Sequence, residues 1–575
     1  MGESYGRRDF LRYGLGAASL GWLARKGFGA GPVRPACVGA AGPSWLRSNP
    51  LLGLSPHPQS QSIAGMPFPT WFTGDDFGND GIPFHFVTDW FKGGSPPEAD
   101  ESVQVAVVGG GLSGLATAYL LRDLHPVLFE VRDRVGGNAM GEVWRGLPYS
   151  LGSAYVISPD KGSFLEKLYG ELGLDRVVRV SYPPDPVEIF GKITDDFWSG
   201  SSRPKDEQLA FTRYAEVVAF MADKGYPDIP LPDDSEEVKR IHALDRMTFR
   251  ENVEKQMGMA MPPFLAAAVQ GYFYSSFGAP MEDISAASGW NFVAAEEYGR
   301  WVFPGGNSYM AWALWKKISE GNWGVPPECR PHPIRCQSQV VDVRSVGERV
   351  QVSYFDPNRQ LRSLMADSVV MAGSKHICKH VLHDLANWDR DKYEAIHQIW
   401  TAAYVVVNVL LDAPIARDFY DCFLLGDESF PMDSNAFEAR PIVVDMLRGD
   451  FALRRPAPRS VLTLYWPLPW ASARFTLLLD EPYRHYAELA VPQIRKMLKL
   501  LDVSESTVEQ VRISRWGHAL PLARPNLIAD GICDAVRRPL DGRIYFVNQD
   551  NWSLPAVENS LLEARTVAEM IKARG

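Results

Sequence analysis

The sequence predicts an α/β protein, and three observations carry that reading. A run of small and β-branched residues, Val105-Ala106-Val107-Val108, stops at glycines spaced G-x-G-x-x-G and passes straight into an apolar helical pattern. Between residues 334 and 372 the period shortens to alternating strands with turns between them. Near the C-terminus, Gly542 to Asp550 reads as a strand with a polar end, and Ala556 to Ala564 opens a closing helix.

The first motif has a direct physical meaning. Gly109 permits the tight turn, Gly111 lets the backbone approach a pyrophosphate, and Gly114 lets the helix pack close to the strand. The helix start, with Leu112 and Ser113, offers unpaired N–H groups and the positive end of the helix dipole to phosphates. A second strand, Pro126 to Phe129, ends at Glu130, at the usual distance for a ribose-binding acid. The competing reading is a glycine turn without a ligand. Glu130 is followed by Val131, Arg132, Asp133, Arg134 and then Gly136-Gly137, a second close backbone approach with added positive charge.

This segment resembles the FAD-binding segment of the flavin-containing amine oxidase and phytoene desaturase superfamily. The superfamily usually carries arginine after the diglycine, where this chain has Asn138. Ser150-Leu151-Gly152-Ser153-Ala154-Tyr155 is similar to its turn beneath the flavin, with Ser150 in place of an acid. Phe303-Pro304-Gly305-Gly306-Asn307-Ser308 resembles its P-x-G-G turn, although Asn307 or Ser308 reads equally well as a helix N-cap. The resemblance further implies that the Val340 backbone contacts adenine and that Asp550 binds the ribityl and phosphate region. The Val557 and Glu558 N–H groups would face the anionic edge of the reduced flavin.

The implied fold is a Rossmann-like FAD-binding domain, a parallel sheet plus β-meander, with a discontinuous α+β substrate domain. Residues 101–204, 321–385 and 511–575 are expected to build the FAD-binding domain, and 205–320 and 386–510 the substrate domain. Residues 41–100 are rich in Pro, Gly and Ser yet carry Trp71, Phe72, Phe84, Phe86, Trp90 and Phe91, which predicts an extended arm docked on the body.

Residues 1–40 read as an export signal. Gly6-Arg7-Arg8-Asp9-Phe10-Leu11-Arg12 is a twin-arginine signature, and the apolar stretch Tyr13 to Ala24 is too short and glycine-rich to span a bilayer. Cleavage after Ala30 or Ala40 is compatible with the small residues there, and the alternative is a fortuitous basic N-terminus. The twin-arginine route accepts folded proteins, which suits a chain that folds around a cofactor before acting in the periplasm or another extracytoplasmic space.

Composition narrows the partners. The 575 residues are 46% hydrophobic with a net charge of −10. The first 40 hold six basic and two acidic side chains, so a form starting at Ala41 carries −14. That balance argues against nucleic acid or an anionic membrane, and no later segment reads as a transmembrane span. The six cysteines include no C-x-x-C pair, and no zinc site is expected. His376, His380 and His383 fall at helical spacing but read as a solvated helix start. The expected partners are a small-molecule substrate, an electron acceptor and the twin-arginine export machinery.

The resemblance implies hydride transfer from a substrate C–H, that of an amine in the first reading, to flavin N5. No catalytic triad is required and none is found. Amine oxidases of the superfamily often hold a lysine near N5, where this chain has Val406. Leu554 and Pro555 occupy the region of one of their paired tyrosines, and no such pair is evident. These departures favour a dehydrogenase with a non-oxygen acceptor or a different substrate. Trp516 and His518 are the candidate catalytic-site residues, His518 reading also as a structural histidine. The alternatives are an FAD-dependent carbon–carbon desaturase or isomerase on an apolar substrate, and a flavoprotein without turnover.

Overall fold

The computed structural model describes residues 52–54, 61–75, 91, 95–320, 333–426, 443–453, 457–473 and 482–574. The export signature lies outside the described residues. Two large sheets organise the chain. The first has seven strands, with Glu101–Val108 at its centre. Val127–Phe129 and Leu361–Met371 flank that strand in parallel, and Ile544–Phe546 lies parallel to Leu361–Met371. Parallel strands buried on both faces need continuous apolar runs. Val105, Ala106 and Val107 are buried accordingly, as are Val369, Val370, Ile544 and Phe546.

The strand Leu361–Met371 does two jobs. Residues 361–366 pair antiparallel with Arg349–Phe355, which pairs in turn with Gln339–Val346, forming the meander. Residues 369–371 then pair with the C-terminal strand on the same side. Three distant stretches of sequence thus meet in one sheet. Over it the helices Leu112–Leu120, Ser308–Glu320 and Val557–Arg574 share a core that includes Leu115, Ala116, Met310, Leu561 and Ala564.

The second sheet has nine strands, with Thr401–Leu411 near its centre and every residue of that strand buried. Its neighbours are Ser460–Pro467 and Val508–Pro521, both antiparallel. Two expected domain limits shift as a result. The strand Val508–Pro521 belongs wholly to this sheet, so the return to the first sheet begins after Pro521 rather than at 511. Strands Val187–Ile189 and Lys192–Thr194 also join it, although the stretch to residue 204 was expected in the nucleotide domain. Within the arm, Thr70–Asp75 pairs in parallel with residues 511–515, and Phe68 and Phe72 enter the core behind the sheet.

Helices fill most of residues 205–295, and one of them, Pro263–Phe277, packs against the second sheet. Local signals set their ends. Thr248 and Glu251 form a reciprocal capping box on Phe249–Met257, and Gly258 ends that helix in the left-handed region at φ 71°.

Candidate active site

One cavity of about 2120 Å³ runs between the two sheets. Its first wall is the glycine fingerprint. Gly109, at φ 113°, turns the chain off the central strand and donates its N–H to Phe129 O at 2.9 Å. Gly111 sits at the N-cap of the helix Leu112–Leu120, where no side chain caps the first turn. Leu112 and Ser113 line the cavity there, so the first turn of the helix opens onto it. Gly114 does not line the cavity. A methyl group on it would lie 1.9 Å from Gly109 O, so its bareness serves the packing of helix on strand.

The second diglycine is seated against the first. Gly136 N–H donates to Gly110 O at 2.8 Å, and Gly136, Gly137 and Asn138 line the cavity beside Gly111. Glu130 lies beneath, buried, accepting the N–H groups of Gly110 at 2.8 Å and Arg132 at 2.9 Å. Burial pushes its carboxyl above the usual range, against the pull of Arg132. Val131 and Arg132 line the cavity, whereas Arg134 turns away, buried in the field of Glu142. The Asn138 side chain donates to Ala519 O at 3.0 Å.

The turn at residues 150–155 closes the middle of the cavity. Gly152 is bare because a methyl there would meet Asn138 O at 2.4 Å. Ser150 Oγ donates to Ser153 O, and Asn307, which caps nothing, donates to Ser153 Oγ and Tyr155 O. At the opposite wall, Asp550 is buried and accepts the Lys375 N–H at 2.9 Å. Val557 and Glu558 open the closing helix onto the same cavity, and Glu558 accepts the Ile157 N–H at 2.6 Å. Val340 lines it as well.

The donor set suits an extended dinucleotide diphosphate. Bare backbone lies at Gly109, Gly111 and Gly137, and helix starts at Leu112 and Val557 face one space. A methyl group at Gly111 would meet nothing closer than Gly137 Cα at 3.8 Å, so folding alone does not demand glycine there. An approaching ligand does.

Aromatic residues wall the far part. Trp516 is buried and donates Nε1–H to Leu151 O at 2.8 Å. His518 bonds Thr401 Oγ1 through Nδ1 at 3.0 Å, and its ring stacks on His376 with centroids 5.0 Å apart. His376 was read as part of a solvated helix start. It is buried instead, its Nε2 2.7 Å from Ile399 O, while His383 pairs with Asp342. Sequence reasoning missed Tyr404 and Tyr465, which line the cavity edge to face with centroids 5.6 Å apart. Tyr404 shares a strand face with Val406, and Val406 is directly across from Tyr465. Tyr404 donates to Ser275 O and Tyr465 to Gly152 O. Trp400, 40% exposed, and Trp470 stand 5.1 Å apart where the cavity meets solvent.

The comparisons with known proteins agree with this geometry. A family model described as flavin containing amine oxidoreductase matches residues 112–571. Oxidoreductase PigB of Serratia sp. (strain ATCC 39006) is 22% identical over 538 residues, covering 84% of this chain and 76% of that protein. Flavin-containing amine oxidase B of Rattus norvegicus is 46% identical over 158 residues, 26% of this chain and 28% of that protein. A solved putrescine oxidase, redesigned in its cofactor binding, superposes with a TM-score of 0.57 at 17% identity, covering 82% of this chain and 99% of that one.

Proposed function

The chain belongs to the flavin-containing amine oxidoreductase family and is an FAD-dependent oxidoreductase, and from that premise we propose that its substrate is a small amine oxidised outside the cytoplasm. One observation carries the substrate reading: a single cavity joins the paired glycine turns to an aromatic wall of Tyr404, Tyr465 and Trp516. When bound, the flavin supplies the hydride acceptor.

The residues of the chain do the rest. Gly109, Gly111, Gly136, Gly137 and the helix start at Leu112 would hold the diphosphate, with Glu130 and Val340 toward the nucleoside end. Asp550 and the helix start at Val557 would hold the ribityl and ring end, where a helix N-terminus stabilises negative charge. Tyr404 and Tyr465 offer ring edges and faces to an amine, and their hydroxyls are occupied by backbone carbonyls. Val406, beside them, supplies no proton carrier, which supports a dehydrogenase with a non-oxygen acceptor. Gly6 to Arg12 supports export by the twin-arginine route.

Anaerobic mixing of the yellow holoenzyme with a panel of amines tests this. Bleaching of the flavin band by an amine is expected. Bleaching by a polyene and by no amine would move the assignment to carbon–carbon desaturation. Reduction by dithionite alone would leave a flavoprotein without turnover.

A further inference from the structure

An alkylamine meets the enzyme as an ammonium at neutral pH, since its pKa lies near that of lysine, about 10.4. Hydride leaves the adjacent carbon only when the nitrogen has an electron pair to push it, so a proton acceptor on the cavity wall speeds the reaction. Most of the wall cannot serve. Val406 carries neither acid nor base. Burial pushes the hydroxyls of Tyr155, Tyr404 and Tyr465 well above their usual range, and the Cys378 thiol up to about 11, so each keeps its proton. Asp550 and Glu558 hold the backbone N–H groups of Lys375 and Ile157. Among the described residues around the aromatic part of the cavity, that leaves His518, and an imidazole exchanges protons near neutral pH.

Strand pairing turns His518 toward the cavity. Tyr404 pairs with Trp516 and Ala402 with Leu520, so Ala403 alone lies opposite Gly517, His518 and Ala519. That bulge frees His518 from the alternation of its strand. All five residues from Trp516 to Leu520 line the cavity, where a regular strand would present alternate ones. The ring is then held from two sides. Nδ1 lies 3.0 Å from Oγ1 of Thr401, another cavity residue. One ring face stacks on His376, with centroids 5.0 Å and planes 22° apart. His376 is itself buried and fixed, donating Nε2–H to Ile399 O at 2.7 Å.

We propose that His518 takes the proton of the substrate ammonium, with Thr401 and His376 as positioning residues. The proposal rests on amine oxidation as the reaction and adds its proton acceptor. An N–H bond of the ammonium breaks, and the proton bonds to Nε2, the ring nitrogen that Thr401 does not hold. The electron pair stays on the substrate nitrogen, and the neutral amine is the species whose adjacent carbon gives up hydride. The other titratable or charged groups on the elements packed about His518 are few. His376, Lys375 and Cys378 lie on the helix Lys375–Val381, and Tyr404 lies across the strand pair. Arg132 stands over the Trp516 ring, and Asp550 follows Gln549, which donates to Ala519 O. A second positive charge on the stacked His376 would be repelled, so the pair carries one.

Two measurements on the holoenzyme test this. The first is the pH profile of anaerobic flavin reduction by a saturating amine that bleaches the flavin. The natural protein is expected to level off above one ionisation in the histidine range. His518→Gln should be slower by roughly 10²- to 10⁴-fold, with a rate that climbs without levelling. Added imidazole should speed His518→Ala. Thr401→Val should move the ionisation and slow reduction by less, and it keeps the test open if the His518 variants do not fold. The second is binding of tert-butylamine, read from the flavin absorbance shift. Its nitrogen-bearing carbon has no hydrogen, so it cannot be oxidised. Transfer to His518 releases no proton to solvent, so affinity for the natural protein should be flat between about pH 7 and about pH 9. In His518→Gln it should rise about tenfold per pH unit, because only the neutral amine then binds. A levelled profile or a flat affinity retained in folded His518→Gln overturns the proposal and leaves amine oxidation standing. No bleaching by any amine, with tert-butylamine binding as expected in both proteins, overturns amine oxidation and keeps His518 as the acceptor. If bleaching occurs without tert-butylamine binding, the reduction profile alone decides; if neither occurs, both readings fall.

Discussion

Gly111 and Gly137 meet backbone to backbone. A methyl group on Gly137 would sit 3.0 Å from Gly111 Cα, and residues 111 and 136 form an isolated parallel bridge. The two glycine turns therefore make one surface rather than two.

That surface separates ligand effects from folding effects. Gly111→Val places its side chain in open cavity and is expected to give a folded but colourless protein. Gly114→Ala drives a methyl into Gly109 O at 1.9 Å and is expected to lower the melting temperature itself. Visible absorbance and thermal melts of both variants check this. Full flavin content in Gly111→Val would contradict it.

Glu142 and Arg512 join the turn region to the nine-stranded sheet through a fully buried pair, with Nη2 3.0 Å from both carboxylate oxygens. Removing one partner leaves the other charge buried without its ion-pair mate. Arg512→Met should cost about 3–5 kcal/mol, while the double variant Arg512→Met, Glu142→Met should recover much of that. Denaturant titrations decide, and an additive double variant would show that the two side chains are not coupled.

Asp445 gives a pH signature. Burial, with Asp185 and Glu296 nearby and Arg300 opposing them, pushes its carboxyl up to about 8. Between about pH 4 and about pH 8 the folded state then holds a proton that the unfolded chain has released, so its contribution weakens stability as pH rises. Asp445→Asn should flatten that decline, gaining on the natural protein most at the upper end of the window. Midpoints at several pH values measure it; a constant offset would count against the assignment.

Replacing Arg7 and Arg8 with lysines should retain the protein in the cytoplasm with its flavin bound. Cell fractionation followed by absorbance of each fraction is the check, and unchanged export would remove the twin-arginine reading.

Local chemistry explains what could be read from the chain. The strand–glycine–helix unit at 105–120 and the strand–helix unit at 544–574 are contiguous, and their apolar runs and bare turns are written in order. The tyrosine pair needed strand register: Tyr404 and Tyr465 lie 61 positions apart and meet because Val406 pairs with Tyr465. His376 was misplaced because its helix begins under the strand that carries His518. Gly110, at the variable position between the first two glycines of the fingerprint, gained a role only in three dimensions, since a methyl there would strike Glu130 Oε2 at 2.8 Å.

The pairing of Thr70–Asp75 with residues 511–515 ties the arm to a stretch of chain more than four hundred residues away. A proteolytic cut between residues 76 and 94 would therefore not release the amino-terminal fragment. The nicked enzyme should run as two bands on a denaturing gel and travel as one species through a sizing column.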